Sequence, residues 1–437
     1  MARRILTLAA AGVLSIGLTA TPAVAGKPVQ HDEQIEYHRI SSYRDWAQGT
    51  SQGAFAIPGL RTGVTMGVAA GTTDYTDPHT GVTAAYEYST WTSPVHDIGF
   101  GATEAVASWN AVTPAGTFIK VELHGTYTNG EQTPWYTMGI WASGDGDIRR
   151  TSVDDQGDPY STIWTDTFSI DDASRGVLLS DYQLRLTLYK KPGQVQRPRV
   201  WELGAMASNV PDRFTVPLST GHIAWGKELA VPTYSQNIHS GEYPEYDGGG
   251  EAWCSPTSTQ MVVSYYGYTP DTSWVNPAYA DPQVDAAARG TYDSQYEGAG
   301  NWPFNTAYAA SFVGLDAIVT RMHSLDEVET FIKHGIPVVV SLSFLASELD
   351  GSNYSTSGHL FVIVGFTATG DVVVNDPASS SDDVVRNVYK RDQLETVWQR
   401  TKRVRANGTV GSGSGGIAYL ITPWWKPLPQ VPGSSNW

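Results

Sequence analysis

Trp253-Cys254-Ser255-Pro256-Thr257 and Gly358-His359-Leu360-Phe361-Val362-Ile363-Val364-Gly365 are the two stretches that decide how the second half of this chain folds. In the first, Ser255 suits an N-cap, Pro256 the first helical position and Gly267 the far end, which predicts a helix over residues 256–266. The thiol of Cys254 then sits at a helix N-terminus, where unpaired N–H groups and the macrodipole favour the nucleophilic thiolate. In the second, His359 stands at the mouth of an apolar strand, its ring held outside the core as a general base requires. Asp371-Val372-Val373-Val374-Asn375-Asp376-Pro377 follows after a short turn at Ala368-Thr369-Gly370. Antiparallel pairing across that turn brings Asp376 towards His359, a few residues out of direct register, where it can orient the ring. Taken alone, Cys254 reads equally as a buried, inert thiol. With His359 and Asp376 it forms a nucleophile, base and orienter set suited to acyl transfer.

Around this core the rhythm is helices followed by strands. Residues 325–334 read as a helix, with Ser324 and Glu327 spaced as a capping box and Gly335 past the end. Residues 336–344, 359–367 and 371–375 are dense in Val, Ile and Phe. Together these predict an α+β domain over residues 226–437, with the tail from Thr422 packed irregularly against it. Residues 43–208 instead read as strand after strand, for example 117–123, 136–141, 183–189 and 199–203, separated by turn clusters. That pattern predicts an all-β sandwich of jelly-roll type over residues 26–225, joined to the second domain by a proline-punctuated connection at about 211–232.

Residues 231–400 resemble the C39-like peptidase family. The matching pieces are Val231-Pro232 with Gln236, Trp253-Cys254-Ser255-Pro256-Thr257, Gly335-Ile336-Pro337-Val338-Val339-Val340-Ser341, Gly358-His359-Leu360 with Gly365-Phe366, and Asn375-Asp376-Pro377. The resemblance implies a papain-like fold and a cysteine peptidase in which Cys254 is the nucleophile, His359 the base and Asp376 the orienting acid. It maps the oxyanion-hole glutamine onto Gln236, and it calls for no metal or organic cofactor. The sequence departs from the family in two places: Ser255 stands where glycine is usual, and Gln236 lies eighteen residues before Cys254, a longer interval than usual. Those departures keep open two alternatives: a non-catalytic wall- or glycan-binding adhesive protein with a retired papain-like half, and a thiol amidase acting on peptidoglycan. One branch of the family is fused to a transporter and trims leader peptides; with no nucleotide-binding loop here, that substrate does not carry over.

Arg3 and Arg4, the apolar run at residues 5–20 and Ala23-Val24-Ala25 follow the order of a secretory signal peptide, cleaved after Ala25. A secreted, extracellular protein without a membrane anchor is therefore expected, acting on a peptide or protein substrate, cell-wall associated or free. The net charge of −16 argues against nucleic acid as a partner. A single cysteine rules out a disulfide framework within the chain. His239, in the loop before Cys254, is a minor candidate for lining the cleft. His31, His38, His79, His96, His124, His222, His323 and His334 show no metal spacing. Asp145 to Asp147 and Asp154 to Asp158 read as turns rather than calcium loops. Trp91, Trp109, Trp135, Trp141 and Trp164 read as core residues before they read as a glycan platform.

Overall fold

A computed structural model describes residues 32–431 and 433–437. The expected signal peptide, residues 1–25, and His31 lie outside them. Six α-helices are present among the described residues: α1 (Tyr43–Gln48), α2 (Cys254–Tyr265), α3 (Pro282–Thr291), α4 (Trp302–Ser311), α5 (Leu325–Lys333) and α6 (Arg391–Gln399). None of them is long and apolar enough to cross a membrane.

The first half carries two seven-stranded sheets with antiparallel strand pairing. Strands Glu104–Val112 and Arg199–Asn209 lie side by side in one, and Thr117–Tyr127 and Leu179–Lys190 in the other. Inward-facing Ile119, Val121, Leu123, Leu184 and Leu186 share a single core with Trp109, Leu203 and Ala205 of the opposite sheet. Strands Glu104–Val112 and Arg199–Asn209 are buried on both faces, one face against the opposite sheet and the other against the second half. Trp91, Trp109 and Trp141 are core residues, as expected of aromatics in a sandwich, whereas Trp135 is half-buried and Trp164 is exposed, because its strand ends there at a hairpin tip. The strand over residues 183–189 is longer than its alternation shows, running Leu179–Lys190, and α1 was not legible as a helix.

The second half is built on one six-stranded antiparallel sheet. Its strands run, in spatial order, Leu315–Arg321, Ile417–Pro423, Val338–Phe344, Thr356–Phe366, Val372–Asn375 and Arg386–Tyr389. The Val- and Ile-dense strands are almost fully buried because helices cover them. Helix α2 packs along Thr356–Phe366, and α6 along Val338–Phe344.

The halves are not beads on a string. The Asn110 and Ser108 side chains of the first half accept the backbone N–H groups of Ala317 and Val319 (3.2 and 2.9 Å). Helix α4 reaches across, so Phe304 packs edge-on against Trp109 and Trp141 of the first half. The connection at 210–233 forms no helix or long strand, yet it is tightly held. Buried Glu329 of α5 accepts the backbone N–H groups of His222 and Ala224 and the Trp225 indole, and pairs with Arg391 at 2.6 Å. The tail is also ordered: the Trp437 ring meets Phe331, and Ser435 accepts the Tyr37 N–H.

Removing Glu329 orphans three donors at once and takes one of two carboxylates from Arg391, which keeps Asp326. Glu329→Ala should lower the unfolding free energy by about 3 kcal/mol in urea titrations, with first proteolytic nicking in the 219–226 segment.

Candidate active site

Helix α2 begins at Cys254 itself, two residues earlier than its sequence suggests. Ser255 is no N-cap. It lies inside the first turn, fully buried, with its hydroxyl 3.0 Å from that of Tyr419. The N-cap is Trp253, which offers no side-chain oxygen, so the first-turn N–H groups point onwards without a cap. The first half of α2 is polar in sequence and buried in fact, and two of its side chains find partners inside the fold. Ser258 donates to the Leu360 carbonyl (3.1 Å) and Gln260 accepts from Tyr308 (2.7 Å). Such satisfied polar contacts fix a helix more sharply than apolar packing alone.

His359 is buried three residues inside the strand Thr356–Phe366, not at its mouth. Val362 pairs with Asn375, so continuing that register sets Asp376 opposite Phe361. His359 and Phe361 are two residues apart and share a face, which brings Asp376 and the imidazole together. The Nε2 of His359 donates to Asp376 Oδ1 at 2.8 Å. The Cys254 side chain lies close enough to the same ring to contribute to its electrostatics.

Asp376 is 1% exposed and has a full set of donors. Oδ1 also accepts the Ala378 N–H (3.0 Å), and Oδ2 accepts the hydroxyls of Tyr354 and Tyr389, each at 2.8 Å. Burial alone would raise its pKa, but the His359 charge and the three hydroxyl and ring donors hold it below its ordinary value. For His359 burial works in the opposite sense, against the charged ring. The Asp376 charge and hydrogen bond, followed by Cys254, outweigh it and raise the pKa to about 10. The imidazolium is thus the resting form at neutral pH. The two tyrosines had no signal in the sequence: they come from a loop and from the next strand, and neither belongs to a motif.

Gln236 lines the same cleft as Cys254 and His359. Its Nε2 donates to the Glu251 carbonyl (2.5 Å), and its backbone N–H donates to Pro377 (2.9 Å), one residue past Asp376. The long interval before Cys254 therefore loops out and returns. Gly250 shows why glycine is needed there: a Cβ would stand 2.3 Å from the Gln236 carbonyl oxygen and 2.5 Å from His239. The Gly-rich stretch serves this close return. His239 does not line the cleft. It is fully buried, with Nδ1 2.7 Å from Glu242 and 3.6 Å from Asp285. Those three residues offer ligand atoms within 4.8 Å of one another, the one set among the described residues that could hold a cation. The acidic turns are occupied by protein donors instead: Asp145 pairs bidentately with Arg289, and Asp158 accepts the N–H groups of Tyr160 and Ser161.

Cys254 at a helix start, the His359 imidazole bonded to buried Asp376, and a cleft of about 800 Å³ thus come together in one place. Residues 228–406 match the model described as the Peptidase C39 like family, and residues 36–208 match that of the peptidase C39 N-terminal domain. Residues 228–406 thus belong to the C39-like peptidase family. Among solved structures, a Bacillus anthracis protein described as a C39-like peptidase aligns at 18% identity over 45% of this chain and 97% of its own, with a TM-score of 0.27. An infectious bursal disease virus (Gx strain) structure aligns at 12% identity over 43% of this chain and 36% of its own, with a TM-score of 0.17. No curated protein matches.

The two shifts give opposite pH slopes. Stability from His359, whose pKa is raised, is complete below its unfolded value near 6.5 and is lost as pH climbs through about 10. Stability from Asp376, whose pKa is depressed, is present above the ordinary carboxylate range and is lost as pH falls below it. Urea unfolding across pH 3–10 should show both slopes, and Asp376→Asn should flatten them. Tyr354→Phe and Tyr389→Phe should each cost about 1–3 kcal/mol, the worth of a hydrogen bond to a buried charge.

Proposed function

We propose that this chain is a secreted cysteine peptidase that hydrolyses amide bonds through an acyl-enzyme intermediate. The observation that carries the reading is the 2.8 Å His359–Asp376 hydrogen bond, with Cys254 beside the same ring and all opening into one cleft. The family match of residues 228–406 supports the peptidase reading, and the sheet-and-helix arrangement is consistent with a papain-like fold. Two sheets sharing one core support reading the first half as a β-sandwich. Secretion rests on the signal-like N-terminus alone.

Because His359 rests as imidazolium, it enters the first step already protonated. The Cys254 thiolate attacks the carbonyl carbon, and the oxygen takes up the negative charge. The Cys254 backbone N–H at the head of α2 and the Gln236 amide are the donors offered to that oxyanion. The His359 proton passes to the leaving amine as the C–N bond breaks. The neutral ring then takes a proton from water, which attacks the thioester, releasing the acid and restoring the thiolate–imidazolium pair. Asp376 stays ionised throughout and keeps the ring in one orientation.

Cys254→Ala should abolish cleavage of a denatured-protein or peptide-library substrate while leaving the fold intact. His359→Ala should slow labelling of Cys254 by iodoacetamide at pH 7 by at least tenfold. Gln236→Ala should lower kcat by about 10²–10³ with little change in KM, as loss of one oxyanion donor does. Fast labelling of wild type with no cleavage of any peptide or peptidoglycan fragment would instead favour a retired, adhesive role.

A further inference from the structure

The Cys254 cleft is not walled by the second half of the chain alone. Trp164, Thr165, Asp166 and Thr167 also line it, although they belong to the first half. They form the tip of a hairpin in which strand Ser161–Trp164 pairs with Thr167–Ile170 and Trp164 faces Thr167. Only two residues remain for the turn. The first, Thr165, has φ 56°, where two-residue hairpins normally carry glycine and a β-branched residue is strained. The tip is held there from below. Asp166, nearly buried, accepts the Trp302 N–H at the start of α4 (2.7 Å) and the Thr167 hydroxyl (2.8 Å). The hairpin is therefore fixed against the helix that already bridges the two halves.

What this anchored turn presents to the cleft is a bare indole. Trp164 is 66% exposed, whereas Trp91, Trp109 and Trp141 are at most 1% exposed. Core packing does not explain its placement, and strain at a fixed turn is the kind of feature that ligand contact explains. Three carboxylates, Asp166, Asp247 and Glu251, line the same cleft with no lysine or arginine, and its one cationic ring, His359, is already paired with Asp376. The Tyr296 hydroxyl, also on the cleft wall, feels the charges of Asp247 and Asp166 as well as that of Cys254. An exposed aromatic face among carboxylates suits a cationic side chain, which the net charge of −16 would also attract from a distance.

Resting on the reading of Cys254 as the nucleophile, we propose that the Trp164–Thr167 hairpin tip is a substrate subsite. It takes the lysine or arginine side chain of a polypeptide, the cation lying over the Trp164 ring. The first half is then part of the active site, because the specificity pocket is completed across the two halves.

The test uses the full mature protein, as wild type, Trp164→Ala and Trp164→Phe. Second-order rates of Cys254 alkylation are measured with iodoacetamide and with tripeptidyl chloromethyl ketones carrying lysine, leucine or glutamate at each position in turn. Iodoacetamide should label all three proteins at rates within about twofold of one another. In wild type, the lysine probe should outpace the glutamate probe at one position. Trp164→Ala should slow the lysine probe there by about three- to tenfold, while Trp164→Phe, which keeps an aromatic face, should lose less. Equal lysine and glutamate rates, or a lysine rate untouched by Trp164→Ala, would overturn the subsite while leaving the nucleophile reading intact. An equal loss for all three peptidyl probes would also overturn it, since that is apolar contact without charge selection. No labelling of native wild type by iodoacetamide would remove the nucleophile reading and the subsite with it.

Discussion

A carboxylate buried at 1% exposure survives as a charge only if every lone pair has a donor, and Asp376 meets that demand. Its four partners come from different places: the His359 ring, the Ala378 backbone, and the hydroxyls of Tyr354 and Tyr389. Those partners tie together strand Thr356–Phe366, strand Arg386–Tyr389, the loop before His359 and the turn after Asp376. The site's electrostatics follow from this one constraint. A fixed negative charge in a low-dielectric setting keeps the imidazole protonated, and the protonated ring is what faces the cysteine. Removing any one donor leaves the others to carry a less well-compensated buried charge.

The helix that delivers Cys254 is held by a second polar network in its first half, while Met261, Val262 and Val263 pack into the core in its second half. Ser255, Ser258 and Gln260 are buried and bonded to Tyr419, the Leu360 carbonyl and Tyr308. That pins the helix start against the sheet strand that carries His359, so thiol and imidazole are positioned by the same strand. Ser255 fits here because Tyr419 offers it a hydroxyl, which glycine could not use. Across the molecule the two halves share side chains at their join, with Asn110 and Ser108 bonding strand Leu315–Arg321 and Phe304 lying among the tryptophans of the first half. A cleft at such a join can draw walls from both sides.

The elements with strong periodicity were legible in the sequence. The Val- and Ile-dense strands, α5 with Gly335 beyond its end, and the run of strands in the first half all declare themselves by spacing. The short turn at Ala368-Thr369-Gly370 brings Asp376 towards His359, but a bulge between Ile363 and Gly365, which no spacing announced, shifts the register by one residue and sets the two on one face. Local rules misjudged the ends. Ser255 and Pro256 look like a cap and a first helical residue, but the helix starts at Cys254 because Trp253 takes the cap position. Ser324 and Glu327 have capping-box spacing, yet the Ser324 side chain caps nothing and Glu327 accepts the His323 N–H instead. Helices α3, α4 and α6 escaped notice although they are as long as α5, because their burial is decided by partners distant in sequence. The same holds for Tyr354, Tyr389 and the Trp164 hairpin. Contacts between residues far apart in the chain leave no pattern in any window of it.

The account stands on the claim that Asp376 holds His359 as an imidazolium beside Cys254. The most direct measurement is a ¹⁵N–¹H NMR titration of the His359 ring in protein labelled at histidine, followed from pH 6 to 11. The ring nitrogens should keep imidazolium shifts through pH 8 and titrate near pH 10, with the midpoint falling in Asp376→Asn. A ring that is neutral at pH 7, or a midpoint that Asp376→Asn leaves unchanged, would contradict the account.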